Sequence, residues 1–472
     1  MAYTAFVTRI KNVRPHPNAD RLQMGECFGN TVIVSMEYKD NQLGVYFPSD
    51  GQLSTEFAEA NNLLRKKDEN GNNVGGYMDA DKRNVTAIKL RGEKSDGLFM
   101  PLKSLETFGD ITTLREGDRI DNFNGHEICC KYVPRSNVKR GHVSDGNKTR
   151  KKKTPIAPLF TEHADTEQLA YNLGAFKPGD EIEITLKMHG TSQRTAHLPV
   201  FKGHKRTFWD KLLRREGTPV YDWGYVSGTR RTVLENFEGG YYGSNEFREA
   251  HSKFFEGKLL KSETVYYEVV GFTHTGAPIM SSCDNKKLND KEFVKQYGKT
   301  TTFSYGCEPH PVVHEGYNDS TYGYQDVHVE YKAPQSDIYV YRMTMTNEDG
   351  DVVEYTPDFM RYRCEQMGVK TVPVFYHGFI PDESPDGMNM TPGERVKHFA
   401  ESFYDGPDPI GKTHVREGVV VRILNRPKFC AYKHKNWSFK ALEGIVKVEA
   451  EAPDMEEADG IEEEVVNNEL SF

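Results

Sequence analysis

The stretch EIEITLKMHGTS, residues 181–192, combines a strand-like pattern with side chains suited to phosphate chemistry. Polar residues alternate with Ile182, Ile184 and Leu186, which is the period of a strand with one buried face, and such a strand would end at Lys187. Gly190 lets the backbone approach a phosphate closely, and the hydroxyl residues that follow it are small hydrogen-bond donors. The stretch therefore predicts a lysine held in a fixed position at the end of a strand, beside a turn that suits a phosphate.

Several later segments hold charged or aromatic residues that would complement such a lysine. Taken singly, each has a plain structural explanation: a glutamate at a strand end, an exposed arginine, a core tyrosine or a surface lysine. The candidates are Arg230 and Arg231 in YVSGTRRTV, Glu268 in VYYEVVGF, Tyr339 and Tyr341 in DIYVYRMT, Glu417 in EGVVVRI and Lys440 in WSFKALE.

In this order the segments resemble the signature of the lysine-adenylating nucleotidyltransferases, which comprise polynucleotide ligases and capping guanylyltransferases. Lys187-Met188-His189-Gly190 matches the first motif, K-x-[DH]-G, and its histidine resembles the RNA ligase branch, because DNA ligases carry Asp there. The second lysine of the fifth motif is absent two places before Lys440, and Lys433 or Lys435 in YKHKNW is the alternative. The resemblance assigns Arg230 or Arg231 to the arginine motif, Glu268 to the third motif, Tyr341 rather than Tyr339 to the aromatic motif, Glu417 to the fourth and Lys440 to the fifth.

The resemblance implies covalent catalysis by Lys187. The lysine would attack the α-phosphate of ATP to form lysyl-AMP, AMP would pass to a 5′-phosphate end, and a 3′-hydroxyl would displace it. Mg²⁺ or Mn²⁺ would be the cofactor, with Glu417 and, as a second candidate, Glu268 binding the metal or the ribose. Lys440 and an arginine would offset phosphate charge, His189 would contact the ribose or a metal-bound water, and Tyr341 would stack on adenine.

The N-terminal third of the chain carries a second resemblance. The segment RPHPNADRLQMGECFGNTVIVSMEYKDNQLGVYFPSDGQLS is similar to the N-terminal OB module of the Deinococcus-type nick-sealing RNA ligases, and KLRGEKSDGLFMPL continues it. The segment FTEHADTEQLAYNLGAFKPGD is similar to the lead-in to the first motif in the same family. OB folds bind nucleic acids in a positive groove with aromatic platforms, so the expected partner is RNA, including nicks in RNA–DNA hybrids.

The predicted fold class is α+β, with an N-terminal OB-like β-barrel followed by a nucleotidyltransferase domain built on antiparallel sheets with flanking helices. Helices are predicted in STEFAEANNLLRKK, HADTEQLAYNLGAF and PGERVKHFAESFYD, and strands in TVYYEVVGF, DIYVYRMTM, EGVVVRIL and WSFKAL. The predicted domains are residues 1–135 (OB-like), 136–158 (basic linker), 159–448 (adenylyltransferase) and 449–472 (acidic, disordered tail).

Charge and hydropathy place limits on the partners. The net charge is −9, and residues 449–472 hold ten Asp and Glu with no Lys or Arg, which leaves the rest of the chain near −9 + 10 = +1. Residues 131–155 hold nine Lys and Arg against one Asp, a strip that suits a polyanion or a solvated linker. The sequence contains no membrane-spanning apolar run and no signal-peptide core, and its seven cysteines form no C-x-x-C pair. A cytoplasmic protein is therefore expected.

Other members of the superfamily are the first alternatives. A DNA ligase or a capping guanylyltransferase carries its OB domain after the core, whereas here the OB-like segment precedes Lys187. An RNA-binding OB protein with an inactive core is the alternative from another class. Residues 196–225 and 270–335 resemble insertions relative to compact members, and FKGHKRTFWDKLLRREG in the first is basic and aromatic enough either to bind nucleic acid or to form a surface helix.

Overall fold

The structure, a computed structural model, describes most of the chain. The described residues are 3–49, 51–67, 73–132, 154–163, 166–213, 215–230, 232–234, 237, 245–307, 310–315, 327–332, 335–382, 390–443 and 446–447. Most of the predicted linker and the whole predicted acidic tail lie outside them. The chain divides into a first unit (residues 1–146, 287–289 and 440–472) and a second unit (residues 147–286 and 290–439).

The first unit consists of short, mostly antiparallel strands around one main core. One sheet has the order β12-β5-β1-β13, and a second has the order β2-β3-β4. The main core includes Val7, Val45, Phe47 and Phe57, and Phe57 lies in α1, which Ser54 caps by accepting a hydrogen bond from the backbone N–H of Phe57. The strands and helix are β1 (Ala5–Arg9), β2 (Lys11–Pro15), β3 (Leu22–Cys27), β4 (Asn30–Ser35), β5 (Leu43–Phe47), β6 (Gly51–Leu53), α1 (Thr55–Ala60), β7 (Lys66–Lys67), β8 (Asn73–Gly75), β9 (Asn84–Val85), β10 (Ala87–Leu90), β11 (Glu93–Asp96), β12 (Leu98–Pro101), β13 (Arg119–Ile120), β14 (Asn122–Phe123), β15 (His126–Glu127) and β16 (Cys129–Lys131).

The second unit contains longer strands and most of the helices. Its strands and helices are β17 (Glu167–Gln168), β18 (Glu181–Leu186), β19 (Thr191–Lys205), α2 (Phe208–Leu212), β20 (Thr218–Gly228), α3 (Glu246–Phe254), β21 (Glu263–Gly271), β22 (Cys283–Asp284), α4 (Lys291–Tyr297), β23 (Thr300–Thr301), β24 (His310–Glu315), β25 (Val327–Lys332), β26 (Ser336–Thr346), β27 (Val352–Glu354), α5 (Pro357–Met367), β28 (Lys370–Thr371), β29 (Val374–Phe379), α6 (Pro392–Glu401), β30 (Gly418–Ile423), β31 (Ala431–Lys435) and α7 (Trp437–Leu442), which runs into the first unit. The final strand, β32 (Val446–Lys447), pairs in parallel with β10 of the first unit. Short 3-10 helices lie at Leu102–Phe108, Ile111–Thr113, Leu169–Tyr171, Leu173–Ala175 and Asn285–Leu288.

Two sheets form the framework of the second unit. A five-stranded sheet has the order β17-β31-β30-β18-β29, and a six-stranded sheet has the order β20-β19-β21-β26-β27, with β28 also paired to β26. Most neighbours are antiparallel, while β17–β31 and β26–β28 are parallel. The first sheet buries Ile182, Ile184 and Val421 in one core with Val396 of α6, and the second sheet has a separate core with residues of α3 and α5.

Strand β18 confirms the predicted strand before Lys187, with one difference. Glu183 is buried instead of exposed, because its carboxylate accepts from Arg361 at 2.6 Å and contacts the ring nitrogen Nδ1 of His377 at 3.1 Å. Because its carboxylate is paired, Glu183 can lie inside the protein although the alternating pattern places it on the polar face of the strand.

Two predicted elements are wrong. Residues 437–442, expected as a strand, form α7, and the side chain of Asn436 accepts from the backbone N–H of Ser438 at its start. Residues 163–176, expected as a helix, contain β17 followed by two 3-10 turns, because Glu167 and Gln168 pair with β31. In the described part of the chain, no helix combines the length and apolar character that crossing a membrane requires.

Candidate active site

Four of the predicted site residues line a cavity of the second unit with a volume of about 130 Å³. Strand β18 brings Lys187 to it, β21 brings Glu268 and β26 brings Tyr341. Arg230 lines the same cavity, just after β20 ends. These four residues, far apart in sequence, therefore face one partly open cavity.

Lys187 is held at this cavity by Glu417. Its Nζ donates to Oε1 of Glu417 at 2.5 Å, and its backbone N–H donates to the carbonyl of Gly418 at 3.0 Å, which continues the pairing of β18 with β30. Lys435, on the neighbouring strand β31, places its Nζ 3.2 Å from the same carboxylate oxygen. One buried carboxylate is thus shared by two lysines.

The pKa values of Glu417 and Glu268, the two carboxyl groups of the site, are shifted in opposite directions. Burial opposes ionisation of Glu417, but Lys187 and Lys435 outweigh burial and hold its pKa well below the usual range. Burial raises the pKa of Glu268 to about 7, despite the opposing effect of Lys187. The negative charge of Glu417 also raises the pKa of Glu268, so the ionisation of one acid affects the ionisation of the other.

His189 packs against residues 303–305, a segment that lies inside the second predicted insertion. The backbone N–H of His189 donates to the hydroxyl of Tyr305 at 2.7 Å, and the ring of Phe303 packs edge-on against its imidazole at 4.5 Å between centroids. Its Nδ1 lies 3.7 Å from Oε2 of Glu417, which is too long for a hydrogen bond. Sequence patterns alone give no sign that Tyr305 reaches His189 across more than a hundred residues.

Two glycines are required here by close packing. A side chain at Gly190 would place Cβ 2.4 Å from the carbonyl oxygen of Val269 in β21. At Gly418, where φ is +145°, Cβ would lie 2.1 Å from the carbonyl oxygen of His434. The predicted reason for Gly190 was close approach to a phosphate, and the structure adds contact between neighbouring backbones as a reason of its own.

Arg248 is a site-proximal residue that the sequence analysis missed. It lies in α3, is buried, and donates to the hydroxyl of Thr191 and, at 3.2 Å, to the carbonyl of Ser192. The hydroxyl of Ser192 is in turn 2.8 Å from that of Tyr341. In the sequence EFREAHSKF, a charged residue at this position suggests an exposed side chain. The contacts of Arg248 with Thr191 and Ser192 show instead that it fixes the start of β19.

A cationic and aromatic group forms another wall of the cavity. His163 and Phe429 line it, and Arg342 donates to Nδ1 of His163 at 2.9 Å while its guanidinium lies 4.4 Å from the centre of the Phe429 ring. Arg342 is also paired with Glu354. Tyr341 contributes its ring next to His163, with 5.5 Å between centroids, whereas Tyr339 lies under Lys370 and is not among the residues that line the cavity.

One predicted residue, Lys440, is placed differently. Lys440 lies on α7, in the first unit, where its Nζ donates to Asp96 at 2.7 Å, so the expected strand lysine is a helix residue with another partner. Lys435 of YKHKNW contacts Glu417 instead. Arg231 lies outside the described residues, and Arg230 is the arginine of this pair that the structure shows at the cavity.

Another buried acid, Asp408, lies near the Tyr305 segment. It is fully buried, its Oδ1 accepts from the backbone N–H of Ile410 at 2.7 Å, and its Oδ2 has no hydrogen-bond partner among the described residues. Burial raises its pKa to about 7, and burial together with the charge of Asp408 raises the pKa of Tyr305 well above its usual value. Because the folded-state pKa exceeds that of an unfolded Asp, the folded protein is favoured at low pH and loses this stability as pH rises towards and through 7.

Glu417, which contacts Lys187, and Glu268, which lines the cavity, have the oxygen ligands that a divalent metal requires. Oε2 of Glu417 is buried and has no hydrogen-bond partner in the described part of the chain, and Glu268 offers a second oxygen donor from β21. Oxygen ligands of this kind suit Mg²⁺ and Mn²⁺. The residues present therefore fit the predicted metal.

Comparison with known proteins agrees with the architecture. Residues 4–102 match a family described as an OB-fold domain. A search of curated proteins finds no match. Solved structures of an RNA ligase from Naegleria gruberi match most of the chain: a lysine-to-alanine mutant with ATP and Mn has a TM-score of 0.52 and 15% identity and covers 94% of this chain and 99% of that one.

Other structures of the Naegleria enzyme give the same result. Its complex with PPi has a TM-score of 0.52 and 16% identity, covering 92% of this chain and 97% of that one. A mutant with AMP and Mn has a TM-score of 0.51 and 14% identity, covering 93% and 98%. At these identities the likeness establishes the fold alone. The chain has an N-terminal OB-fold domain, and its mostly antiparallel sheets with flanking helices share the fold of the Naegleria gruberi RNA ligase, which confirms the predicted α+β class.

Proposed function

We propose that the protein is an ATP-dependent RNA ligase that seals breaks with a 3′-hydroxyl and a 5′-phosphate, in particular nicks in RNA-containing duplexes. The observation that carries this proposal is the position of Lys187, which lines the cavity and whose Nζ lies 2.5 Å from a buried, ionised carboxylate. The likeness in fold to an RNA ligase solved with ATP, AMP and PPi supports the same reading.

In the proposed reaction, the nitrogen of Lys187 attacks the α-phosphorus of ATP. The Lys187 nitrogen first gives a proton to solvent so that its lone pair is free; a nitrogen–phosphorus bond then forms, the bond to the bridging oxygen breaks, pyrophosphate leaves, and the nitrogen releases a second proton. Glu417 orients the amine before attack, while Lys435 and Arg230 provide positive charge near the phosphates. AMP then passes to a 5′-phosphate, and a 3′-hydroxyl displaces it to seal the strand.

Several roles follow from the side chains around this lysine. Glu417 and Glu268 would hold Mg²⁺ or Mn²⁺, which supplies charge neutralisation for the phosphates when bound. Tyr341 and His163 offer ring faces for adenine. His189, whose Nδ1 lies 3.7 Å from Oε2 of Glu417, is assigned to the ribose or to a metal-bound water. Lys440 is proposed to have no direct part in the first step, because its amine is paired with Asp96.

The first step can be tested by labelling. The purified protein is first treated with pyrophosphate to remove any AMP carried through purification, then incubated with Mg²⁺ or Mn²⁺ and either ATP or GTP labelled at the α-phosphate. Label on the denatured wild-type protein from ATP, lost in Lys187→Ala and kept in the exposed control Lys177→Ala, is the expected result. Label from GTP alone would indicate capping chemistry, and no label from either would contradict the proposal.

The later steps need a polynucleotide assay. Nicked duplexes with RNA on both strands, on the broken strand only or on neither are offered to the labelled protein. Transfer of AMP to the 5′-phosphate and sealing on RNA-containing nicks are expected, and sealing confined to all-DNA nicks would replace the RNA ligase assignment with a DNA ligase.

A further inference from the structure

The first predicted insertion forms a long hairpin that starts at the site. Strands β19 and β20 pair from Arg194 with Gly228 to Lys205 with Thr218. Strand β19 pairs with β21 only from Thr191 to Ala196, so its remaining nine residues extend past that neighbour, a distance of about 30 Å at roughly 3.3 Å per residue. The start of β19 contacts Arg248 and Tyr341, which ties the hairpin to the candidate active site.

The end of this hairpin, residues 202–217, is here named the hairpin tip, and hydrogen bonds fix the conformation of its described residues, 202–213 and 215–217. The backbone N–H and hydroxyl of Thr207 donate to the carboxylate of Asp210 at 2.9 and 2.6 Å, and the backbone N–H of Asp210 donates back to the Thr207 hydroxyl at 3.2 Å. The N–H of Arg215 donates to the carbonyl of Asp210 at 2.9 Å. Local hydrogen bonds therefore hold the described part of the turn around Thr207 and Asp210.

The hairpin tip exposes large apolar side chains that a buried core would normally contain. Phe208 is 74% exposed, Trp209 65%, Leu212 62% and Leu213 54%. The two aromatic rings contact each other edge to face at 5.9 Å between centroids. An exposed aromatic cluster on an ordered turn is typical of a binding surface.

The charge of the hairpin tip selects the class of partner. Residues 202–217 hold six Lys and Arg against two acids, and the carboxylate of Asp210 is already bound to Thr207. Lys202, Lys205, Arg206 and Arg215 are exposed. Cations around exposed aromatic rings complement a nucleic acid strand, whose phosphates meet the cations while its bases stack on the rings.

We propose that the hairpin tip binds the RNA on one side of the break and so adds a contact remote from the cavity. This inference rests on the proposed function, because it takes the occupant to be the substrate of the site from which β19 extends. The positive charge of the tip and its direct connection to the site through β19 favour RNA over an uncharged partner. Anionic lipid is the competing occupant and is included in the test.

The test compares two paired variants in the full-length protein. Phe208→Ala/Trp209→Ala removes the stacking surface, and Lys205→Ala/Arg215→Ala removes two cations. Lys291→Ala/Lys295→Ala on the exposed helix α4 removes the same charge elsewhere in the second unit. Phe379→Ala, which truncates a residue that is 66% exposed, is the aromatic control.

Binding is measured by fluorescence anisotropy with a labelled nicked RNA duplex over a series of salt concentrations. The aromatic variant should lose about 5-fold to 150-fold in affinity for each stacked base that it no longer holds. The charge variant should bind more weakly and lower the salt dependence, log K against log salt, by about 1.4 to 1.8. Both controls should bind as the wild type does.

Labelling from ATP, measured in parallel, separates this inference from the proposed function. Wild-type labelling retained in both tip variants, with RNA binding lost, supports the inference. Equal RNA binding by the wild type and both tip variants, or no binding by the wild type, overturns it. Loss of sedimentation with phosphatidylserine vesicles without loss of RNA binding also overturns it, in favour of a membrane surface. If no variant is labelled from ATP, the proposed function fails, and the RNA-binding comparison still decides the inference.

Discussion

Replacement of Lys435 should damage the first chemical step far more than replacement of Lys440. Lys435 places its Nζ 3.2 Å from Oε1 of Glu417, and the side chains are 16% and 2% exposed. Lys440 pairs with Asp96 at 2.7 Å, with side chains 18% and 12% exposed. Both lysines therefore have a carboxylate partner, but only that of Lys435 also contacts Lys187.

The size of the expected loss of rate follows from the Glu417 carboxylate that Lys435 and Lys187 share. Two unit charges separated by 3.2 Å attract by about 5 kcal/mol at an effective dielectric constant of ~20. A Lys435→Ala variant loses this attraction, but the Glu417 carboxylate keeps one cationic partner because Lys187 remains hydrogen-bonded to it. Loss of one positioned positive charge near a developing pyrophosphate typically costs about 10²-fold to 10³-fold in rate. For Lys440→Ala, the loss of a partly exposed pair costs about 1 kcal/mol of stability and little rate.

The assay is single-turnover labelling with ATP over a range of ATP concentrations. Lys435→Ala should be slower by about 10²-fold to 10³-fold at saturating ATP, and Lys440→Ala should stay within about 3-fold of the wild type. Thermal unfolding of each variant checks that the comparison concerns folded protein. Equal losses in the two variants, or wild-type rates for Lys435→Ala, would refute the reasoning from the Glu417 contact.

Two further predictions concern the buried layer next to the site. Tyr305→Phe removes the acceptor of the His189 N–H and should lower the unfolding free energy in urea by about 1–3 kcal/mol; an unchanged value would contradict the hydrogen bond. Asp408→Asn should stabilise the protein at pH 8 by up to about 4 kcal/mol and have little effect at pH 4, from the pKa difference between about 7 and 3.8. Denaturation at both pH values, with exposed Asp349→Asn as control, tests it, and an equal effect at both would contradict the raised pKa.

The local sequence was sufficient to predict the strands that carry the chemistry. The alternation before Lys187 and the apolar runs around Glu268, Tyr341 and Glu417 all correspond to strands or strand ends. These elements are long or strongly patterned, so tertiary contacts reinforce the local preference instead of overriding it. The α+β class follows from them, whereas the grouping of the site residues was predicted from the resemblance of the ordered motifs to the lysine-adenylating nucleotidyltransferases.

The local sequence pattern gave a wrong prediction at two segments, where pairing with a distant strand or a helix cap determines the structure. Strand formation at Glu167 and Gln168 depends on β31, which lies more than 260 residues later and has no trace in the local sequence. The helix at WSFKAL follows from the side chain of Asn436, which satisfies the first free N–H at Ser438 and makes a helix start favourable. That signal was present in the sequence, but the aromatic and apolar residues after it also fit a strand.

The residues that fix Lys187 in place are mostly brought in from a distance. Glu417 comes from a strand 230 positions later, Tyr305 supports the following turn from inside an insertion, and Arg248 anchors the start of β19 from a helix. None of these contacts is encoded in the spacing around Lys187, because each depends on how the two sheets and α3 pack. A short motif can therefore identify the nucleophile, while its orientation is a property of the whole second unit, and substitutions far from residues 187–190 should alter labelling without touching ATP.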